Sequence, residues 1–347
     1  MEQTNWGSLK RFSRQILFSP IGVKGQKRLR NKHVLIIGAG ALGSGNAEML
    51  VRSGAGKVTI ADRDYVEESN LQRQQLYTES DAAQSLPKAV AAEKRLKQIN
   101  SSTEISGVVA DVTPEVLERF SDVDLIIDAT DNFDIRFLIN DFCQKQNIPW
   151  IYGACLGAYG ISCNIIPGKT PCLACLLDQI PLTGATCDSE GIIAPVVQMV
   201  TAVQTAEALK ILTENRAAIR NTLICFDLWN NEHSEIAIEP LKQDSCLSCG
   251  RKRAYPHLDF QLQTKAAVLC GRDTVQIRSG VHQTMNLEQW ESHFQGLGFT
   301  TKRNPYLLSV QLEEPYRIVC FQDGRVLVHG TNRIETAKNV YYRYFGA

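Results

Sequence analysis

A glycine-rich turn between an apolar strand and a helix constrains this chain more than any other feature. Gly38-Ala39-Gly40-Ala41-Leu42-Gly43 follows directly on His33-Val34-Leu35-Ile36-Ile37, and Asp62 closes the next apolar run. Glycine lets the backbone approach a phosphate, the helix N-terminus attracts negative charge, and a carboxylate about twenty residues on can accept from a ribose hydroxyl. The arrangement predicts a nucleotide site at Gly38, Gly40, Gly43 and Asp62 in a Rossmann-like sheet. A packing turn, where glycine only lets helix approach strand, is the plainer alternative.

The surrounding pattern is that of a helix-covered parallel sheet. Strands are expected at His33–Ile37, Lys57–Ala61, Ile105–Val109, Asp124–Ala129 and Pro149–Ala154. Helices fall between them: Ala41–Ser53 closed by Gly54, Lys88–Asn100 with Pro87 at its first turn, and Phe133–Gln146. Ligands should then sit at the C-terminal ends of the strands. From Tyr159 the pattern changes. Gly160–Ile166, Thr222–Leu228 and Ser234–Glu239 predict an antiparallel extension, and Ile192–Leu212, apolar but interrupted by Gln198, Thr201, Gln204, Glu207 and Lys210, a buried helix. A boundary near Lys252–Pro256 separates a main domain, 1–253, from a small α+β module, 255–347. Strands are expected there at Ala267–Cys270, Val275–Arg278, Leu307–Leu312, Arg317–Phe321 and Val326–His329, with helices at Asn286–Phe294 and Ile334–Tyr344. The predicted fold class is α/β, a mixed sheet with a parallel N-terminal part and an antiparallel extension.

Charge and cysteine content limit the setting. Lys+Arg and Asp+Glu balance at 37 each, so no global field draws in nucleic acid or membrane. No apolar stretch reaches the ~18 residues of a membrane span. The polar start lacks a signal segment, and eleven cysteines then point to a reducing cytoplasm where thiols serve metal or chemistry.

Several charged residues exceed what a dinucleotide needs. Arg73, in Asn70-Leu71-Gln72-Arg73-Gln74, and Lys88 could face the charge that grows when ATP loses pyrophosphate; each could equally be a surface charge. Asp131 lies just past the strand ending near Ala129 and could hold Mg²⁺, or could cap the helix at Phe133, with Asp128 an alternative carboxylate. Cys172-Leu173-Ala174-Cys175 and Cys246-Leu247-Ser248-Cys249 can close a tetrahedral Zn²⁺ site that staples distant segments, with a redox role as the alternative. Cys187, in a polar glycine-containing loop, could attack an activated carboxyl or carry sulfur, or have no duty.

Together these segments resemble the ThiF/MoeB branch of the ubiquitin-activating enzyme superfamily. The resemblance covers roughly Arg11 to Gly250 and adds Arg11-Phe12-Ser13-Arg14-Gln15, Asp62-Arg63-Asp64, Pro87-Lys88, Thr130-Asp131-Asn132 with Arg136, and Thr186-Cys187 to the motifs above. The module from about Tyr255 resembles an extension in longer Gram-positive ThiF-like proteins. The resemblance implies a homodimer that adenylates the Gly-Gly carboxylate of a small ubiquitin-fold sulfur carrier, ThiS or MoaD, which then takes sulfur from a cysteine desulfurase or other donor. It implies that Asp62 holds ribose, with Asp64 and Asn132 beside the nucleotide. Asn70, Arg73 and Lys88 would hold phosphates, Asp131 Mg²⁺, and Arg14 would arrive from the partner subunit. Phe12 stands where many relatives have tyrosine, and Cys187 aligns with a cysteine that some relatives link to the carrier, its role open here. Competing readings are an NAD-dependent oxidoreductase, which leaves Arg14, Arg73, Lys88 and Asp131 unexplained, the same chemistry on a tRNA-linked or peptide carboxylate, and a non-catalytic carrier scaffold.

Overall fold

Short apolar runs joined by helices bury a strand on both faces, and the first sheet is built this way. The computed structural model describes residues 9–179, 191–259, 266–268, 273–278 and 284–345. Its first sheet contains β1 (His33–Ile37), β2 (Lys57–Asp62), β3 (Glu104–Val109), β4 (Leu125–Asp128), β5 (Trp150–Leu156), β6 (Tyr159–Ile165), β7 (Thr222–Asp227) and β8 (Glu232–Ala237), in the order β3-β2-β1-β4-β5-β6-β7-β8. The strands from β3 to β5 are parallel, and those from β5 to β8 are antiparallel. The mixed sheet is the predicted one.

Val34, Leu35, Ile36, Leu125, Ile126 and Ile127 are fully buried. Each is worth about 1.5–3 kcal/mol relative to exposure, so these strands form the rigid centre of the sheet. The helix Ala41–Ser53 ends at Gly54, whose φ of 86° is the left-handed cap that glycine adopts at no steric cost. Pro87 lands one residue earlier than predicted, as the N-cap of Lys88–Ile99. The apolar segment after Ile192 is the helix Ala194–Leu212. Its polar interruptions are structural: Gln204 is fully buried, accepts from Asn46 Nδ2 at 2.8 Å and donates to the Asp128 carbonyl at 3.0 Å. No helix among the described residues is long and apolar enough to cross a membrane.

The second sheet is antiparallel. It contains β9 (Ala266–Val268), β10 (Thr274–Arg278), β11 (Thr300–Arg303), β12 (Leu307–Gln311), β13 (Arg317–Phe321) and β14 (Arg325–His329), in the order β11-β12-β13-β14-β10-β9. Asp323-Gly324 makes the turn between β13 and β14, with Gly324 at φ 82°. One face, carrying Val275, Ile277, Leu308, Val310, Ile318, Cys320, Val326 and Val328, packs with residues of the helices Leu287–Gly296 and Ile334–Phe345. β11 was not anticipated. Thr300-Thr301-Lys302-Arg303 has no apolar residue to mark it, because it pairs at the sheet edge. The expected strand Ala267–Cys270 is described only over Ala266–Val268.

Candidate active site

The parallel strands deliver three loops to one edge of the sheet. Ala129 N–H donates to the Ile37 carbonyl at 2.9 Å and Gly38 N–H to the Ala61 carbonyl at 2.8 Å, so the turns after β1, β2 and β4 are tied together. Glycine is required where they touch. Gly38 has φ 95°, and a Cβ there would stand 2.5 Å from the Ala129 carbonyl oxygen. At Gly43 a Cβ would stand 1.9 Å from Gly38 O, so this glycine serves the approach of helix to strand. Gly40 differs: the nearest atom to a Cβ there would be Gln74 Nε2, 3.9 Å away. It is also the N-cap of Ala41–Ser53, with no side-chain cap. The helix end therefore offers uncapped N–H groups, the physical requirement for an anion site.

Asp62 sits beneath this turn. It accepts from Ala39 N–H at 2.5 Å and Asp64 N–H at 2.6 Å. Burial pushes its carboxyl above the usual range, opposed by Lys88 and the backbone N–H groups and assisted by Asp64. Asp62 thus fastens the glycine turn. Asp64 is more exposed and lies 3.4 Å from Lys88 Nζ. Lys88 is buried, and its backbone N–H donates to the Asp64 carbonyl at 2.8 Å. Lys88 is thus held at this edge by one carboxylate.

Asn70 is also buried, but its Oδ1 accepts from Glu67 N–H at 3.3 Å and shapes the preceding turn. Arg73 is half-buried and donates to the Ser69 carbonyl at 3.0 Å. Sequence reading gave no role to Tyr77 or Gln74. Tyr77 Oη reaches the Ala39 carbonyl at 2.6 Å and the Lys88 carbonyl at 3.3 Å, binding the glycine turn to the Lys88 helix. A lone tyrosine outside any periodic pattern gave no signal of this. Gln74 is buried beside Gly40 with its Oε1 unpartnered, and its place in the Asn70–Gln74 segment was the one available clue.

The three readings of the loop after β4 separate by burial. Asn132 is the N-cap of Phe133–Gln146, its Oδ1 accepting from Ile135 N–H at 3.2 Å. Asp128 is fully buried, paired with Arg136 Nε at 3.1 Å, and accepts from the Thr130 hydroxyl at 2.8 Å. Arg136 also donates to the Thr130 carbonyl at 2.6 Å, which bolts the loop to the sheet. Asp131 is left exposed.

Arg14 is placed elsewhere. It is exposed on the short helix Ser13–Leu17, which is held by Gln15 donating to the Ser53 carbonyl at 3.0 Å and by Phe12 against Gly54. Those anchors lie at the far end of Ala41–Ser53, a helix length of about 20 Å from the glycine turn. Arg14 therefore sits far from this chain's own site. Cys187 lies outside the described residues.

The four cysteines do come together. Cys172 and Cys175 flank the start of the helix Leu173–Gln179, and Cys246 and Cys249 follow the first sheet. Their sulfurs lie within 4.8 Å of one another, with 3.6 Å between Cys172 and Cys246 and 3.5 Å between Cys175 and Cys249. Zn–S bonds of about 2.3 Å in a tetrahedron place sulfurs about 3.8 Å apart, so the donor set fits zinc.

Comparison with known proteins agrees with this geometry. The chain is 52% identical over 337 residues to the sulfur carrier protein ThiS adenylyltransferase of Bacillus subtilis, covering 97% of this chain and 99% of that one. It is 32% identical over 250 residues to the sulfur carrier protein adenylyltransferase of Thermus thermophilus, covering 70% of this chain and 91% of that one. In structure it is similar to E. coli MccB, solved with ATP, at a TM-score of 0.61 and 23% identity, covering 69% of this chain and 74% of that one. The signature of the ThiF family matches residues 12–248, and the chain belongs to that family.

Proposed function

We propose that this chain adenylates the C-terminal Gly-Gly carboxylate of a ThiS-type ubiquitin-fold sulfur carrier, with ATP as co-substrate, for thiamine biosynthesis. It is a nucleotidyltransferase. The observation that carries the reading is the meeting, at one sheet edge, of an uncapped helix N-terminus, a buried lysine and an exposed aspartate. A carboxylate is a poor acylating group until its oxygen is joined to a good leaving group. The carrier carboxylate oxygen attacks the α-phosphorus, the bond to the β-phosphate oxygen breaks, and pyrophosphate leaves with the electron pair.

Positioning and charge neutralisation supply most of the catalysis in such a transfer. Asp62 and Asp64 take the ribose side. The N–H groups around Gly38, Gly40 and Gly43 take the phosphates, with Asn70, Arg73 and Lys88. Asn132 orients the loop through its cap. Asp131 is the residue that would hold Mg²⁺, which would supply positive charge against the phosphates as pyrophosphate departs. Cys172, Cys175, Cys246 and Cys249 would hold structural Zn²⁺. The protein acts as a cytoplasmic homodimer in which each Arg14 enters the partner's site, consistent with its distance from its own. Cys187 is the candidate for covalent hand-over of the carrier before sulfur arrives from a desulfurase or other donor. The adenylation domain is residues 1–253 and the added module residues 255–347.

The test is ATP–pyrophosphate exchange with zinc-loaded protein and each carrier in turn. Exchange should require the ThiS-type Gly-Gly tail and fall about 10²–10³-fold in Asp131→Ala, the usual cost of losing transition-state charge stabilisation. Exchange with a MoaD-type carrier alone would move the chain to molybdopterin synthesis. No exchange with either carrier would refute the proposal.

A further inference from the structure

The second sheet has two buried faces, and its own helices cover only one. The other carries Val319, Phe321 and Leu327, each 1% exposed or less, closed over by Leu307 and by Tyr65 from the first domain. Around this patch the face is polar and reaches across to the segment after Asp62. Arg325 is fully buried over the Phe321 ring; its Nε donates to Asp323 at 2.6 Å and its Nη1 to the Arg63 carbonyl at 3.3 Å. Arg63 pairs with Asp111 at 3.1 Å, and Asp111 also accepts from Gln276 at 2.9 Å and faces Arg278 at 3.4 Å. The Tyr65 hydroxyl meets His329 Nε2 at 3.2 Å and accepts from Arg317 at 3.1 Å, while Arg317 lies 3.7 Å from Glu67.

The register of this segment matters. Tyr65 bridges Pro87 as an isolated β-pair, so the chain here is extended and alternate side chains face opposite ways. Arg63, Tyr65 and Glu67 face the second sheet; Asp62 and Asp64 face the glycine turn and Lys88. One side of the extended segment after β2 is thus gripped by the C-terminal module, and the other presents the two carboxylates of the proposed nucleotide site.

We infer that the C-terminal module is a positioning clamp for the nucleotide: through His329, Arg317, Gln276, Arg278 and Arg325 it holds Arg63, Tyr65 and Asp111, and so sets where Asp62 and Asp64 stand. These are positioning residues, since none touches the nucleotide side. The inference rests on the assignment of ATP to the glycine turn. It deepens that assignment by giving the module a task in ATP binding and none in carrier docking.

The test uses the full chain with the double variant His329→Ala, Arg317→Ala, which removes the module's polar partners of the Tyr65 hydroxyl and leaves its apolar packing in place. ATP binding by calorimetry and the KM values of pyrophosphate exchange are measured beside wild type. The expected result is a rise of about five- to tenfold in Kd and KM for ATP, with KM for the carrier unchanged. His329→Gln with Arg317→Lys, which restores a donor at each place, should recover most of the loss. Unchanged ATP affinity in the folded alanine variant, or a rise confined to the carrier KM, overturns the clamp. If the alanine pair fails to fold, Asp111→Asn is read by the same two constants against the same criteria. Wild type that does not bind ATP would instead overturn the nucleotide assignment itself.

Discussion

The two sheets of this chain bury their strands by different rules. In the first, β1 and β4 read as unbroken apolar runs because helices cover both faces, and the core is continuous with those helices. In the second, β10 alternates apolar with polar residues and β14 begins and ends on polar ones, which ordinarily means one face in the core and one in water. Here the polar positions are buried too: Arg325 is inaccessible and Gln276 nearly so, Arg325 pairing with Asp323 in its own turn and reaching the Arg63 carbonyl, and Gln276 donating to Asp111. The lesson is that period-two patterning identifies which face is apolar without establishing that the other meets solvent.

That contrast can be tested region by region. The largest effect should come from the cysteine cluster, which ties the first sheet to the segment leading into the second. Cys172→Ser should reduce zinc from stoichiometric to near zero and lower the thermal midpoint together, structural zinc being worth on the order of 10 kcal/mol in small peptides and less beside a preformed core. Elemental analysis with a melting curve checks both, and full zinc in the variant would end the four-cysteine assignment. Next is the ion pair inside the first sheet. Arg136→Ala strands the fully buried Asp128 and should cost about 3–5 kcal/mol in denaturant unfolding, the range for an uncompensated buried charge.

The interface between the sheets should respond least, and with a distinct pH signature. Burial would raise the Asp111 carboxyl, but Arg63, Arg325 and Arg278 outweigh it and hold the group below its ordinary value. Its contribution is present above the unfolded carboxylate value of about 3.9 and is lost as pH falls through the lower folded value. Asp111→Asn should therefore cost about 1–3 kcal/mol at neutral pH, with the gap from wild type closing below about pH 4. Asp128 runs the other way. Burial raises its carboxyl despite Arg136, so its favourable contribution lies below the unfolded value and fades as pH rises through the folded one. Parallel stability–pH curves for wild type and Asp111→Asn below pH 4 would contradict the assignment.

Much of the nucleotide edge was legible in the residues. Gly38 and Gly43 are required by close backbone approach, and a strand–turn–helix unit carries its own signature over a few residues. The cysteine pairs were legible because two thiols at that spacing have few uses. Asp131 was not separable from Asp128 and Asn132 in the sequence: three polar residues within five positions look alike until burial sorts them. Tyr77, which bridges the glycine turn and the Lys88 helix, has no local neighbour to betray it.

By itself, then, the sequence determined the order of strands and helices that build the first sheet, the glycine turn after β1 and the thiols that can share one ion, because each depends on residues close along the chain or on a chemically restrictive motif. Only the tertiary structure decided which aspartate is buried and which is open, that Arg14 stands far from its own glycine turn, and that the second sheet grips the strand behind Asp62. Those outcomes depend on groups far apart in the chain, such as Asp111 with Arg278 and Tyr65 with His329, and on the desolvation each meets when the two sheets close over them.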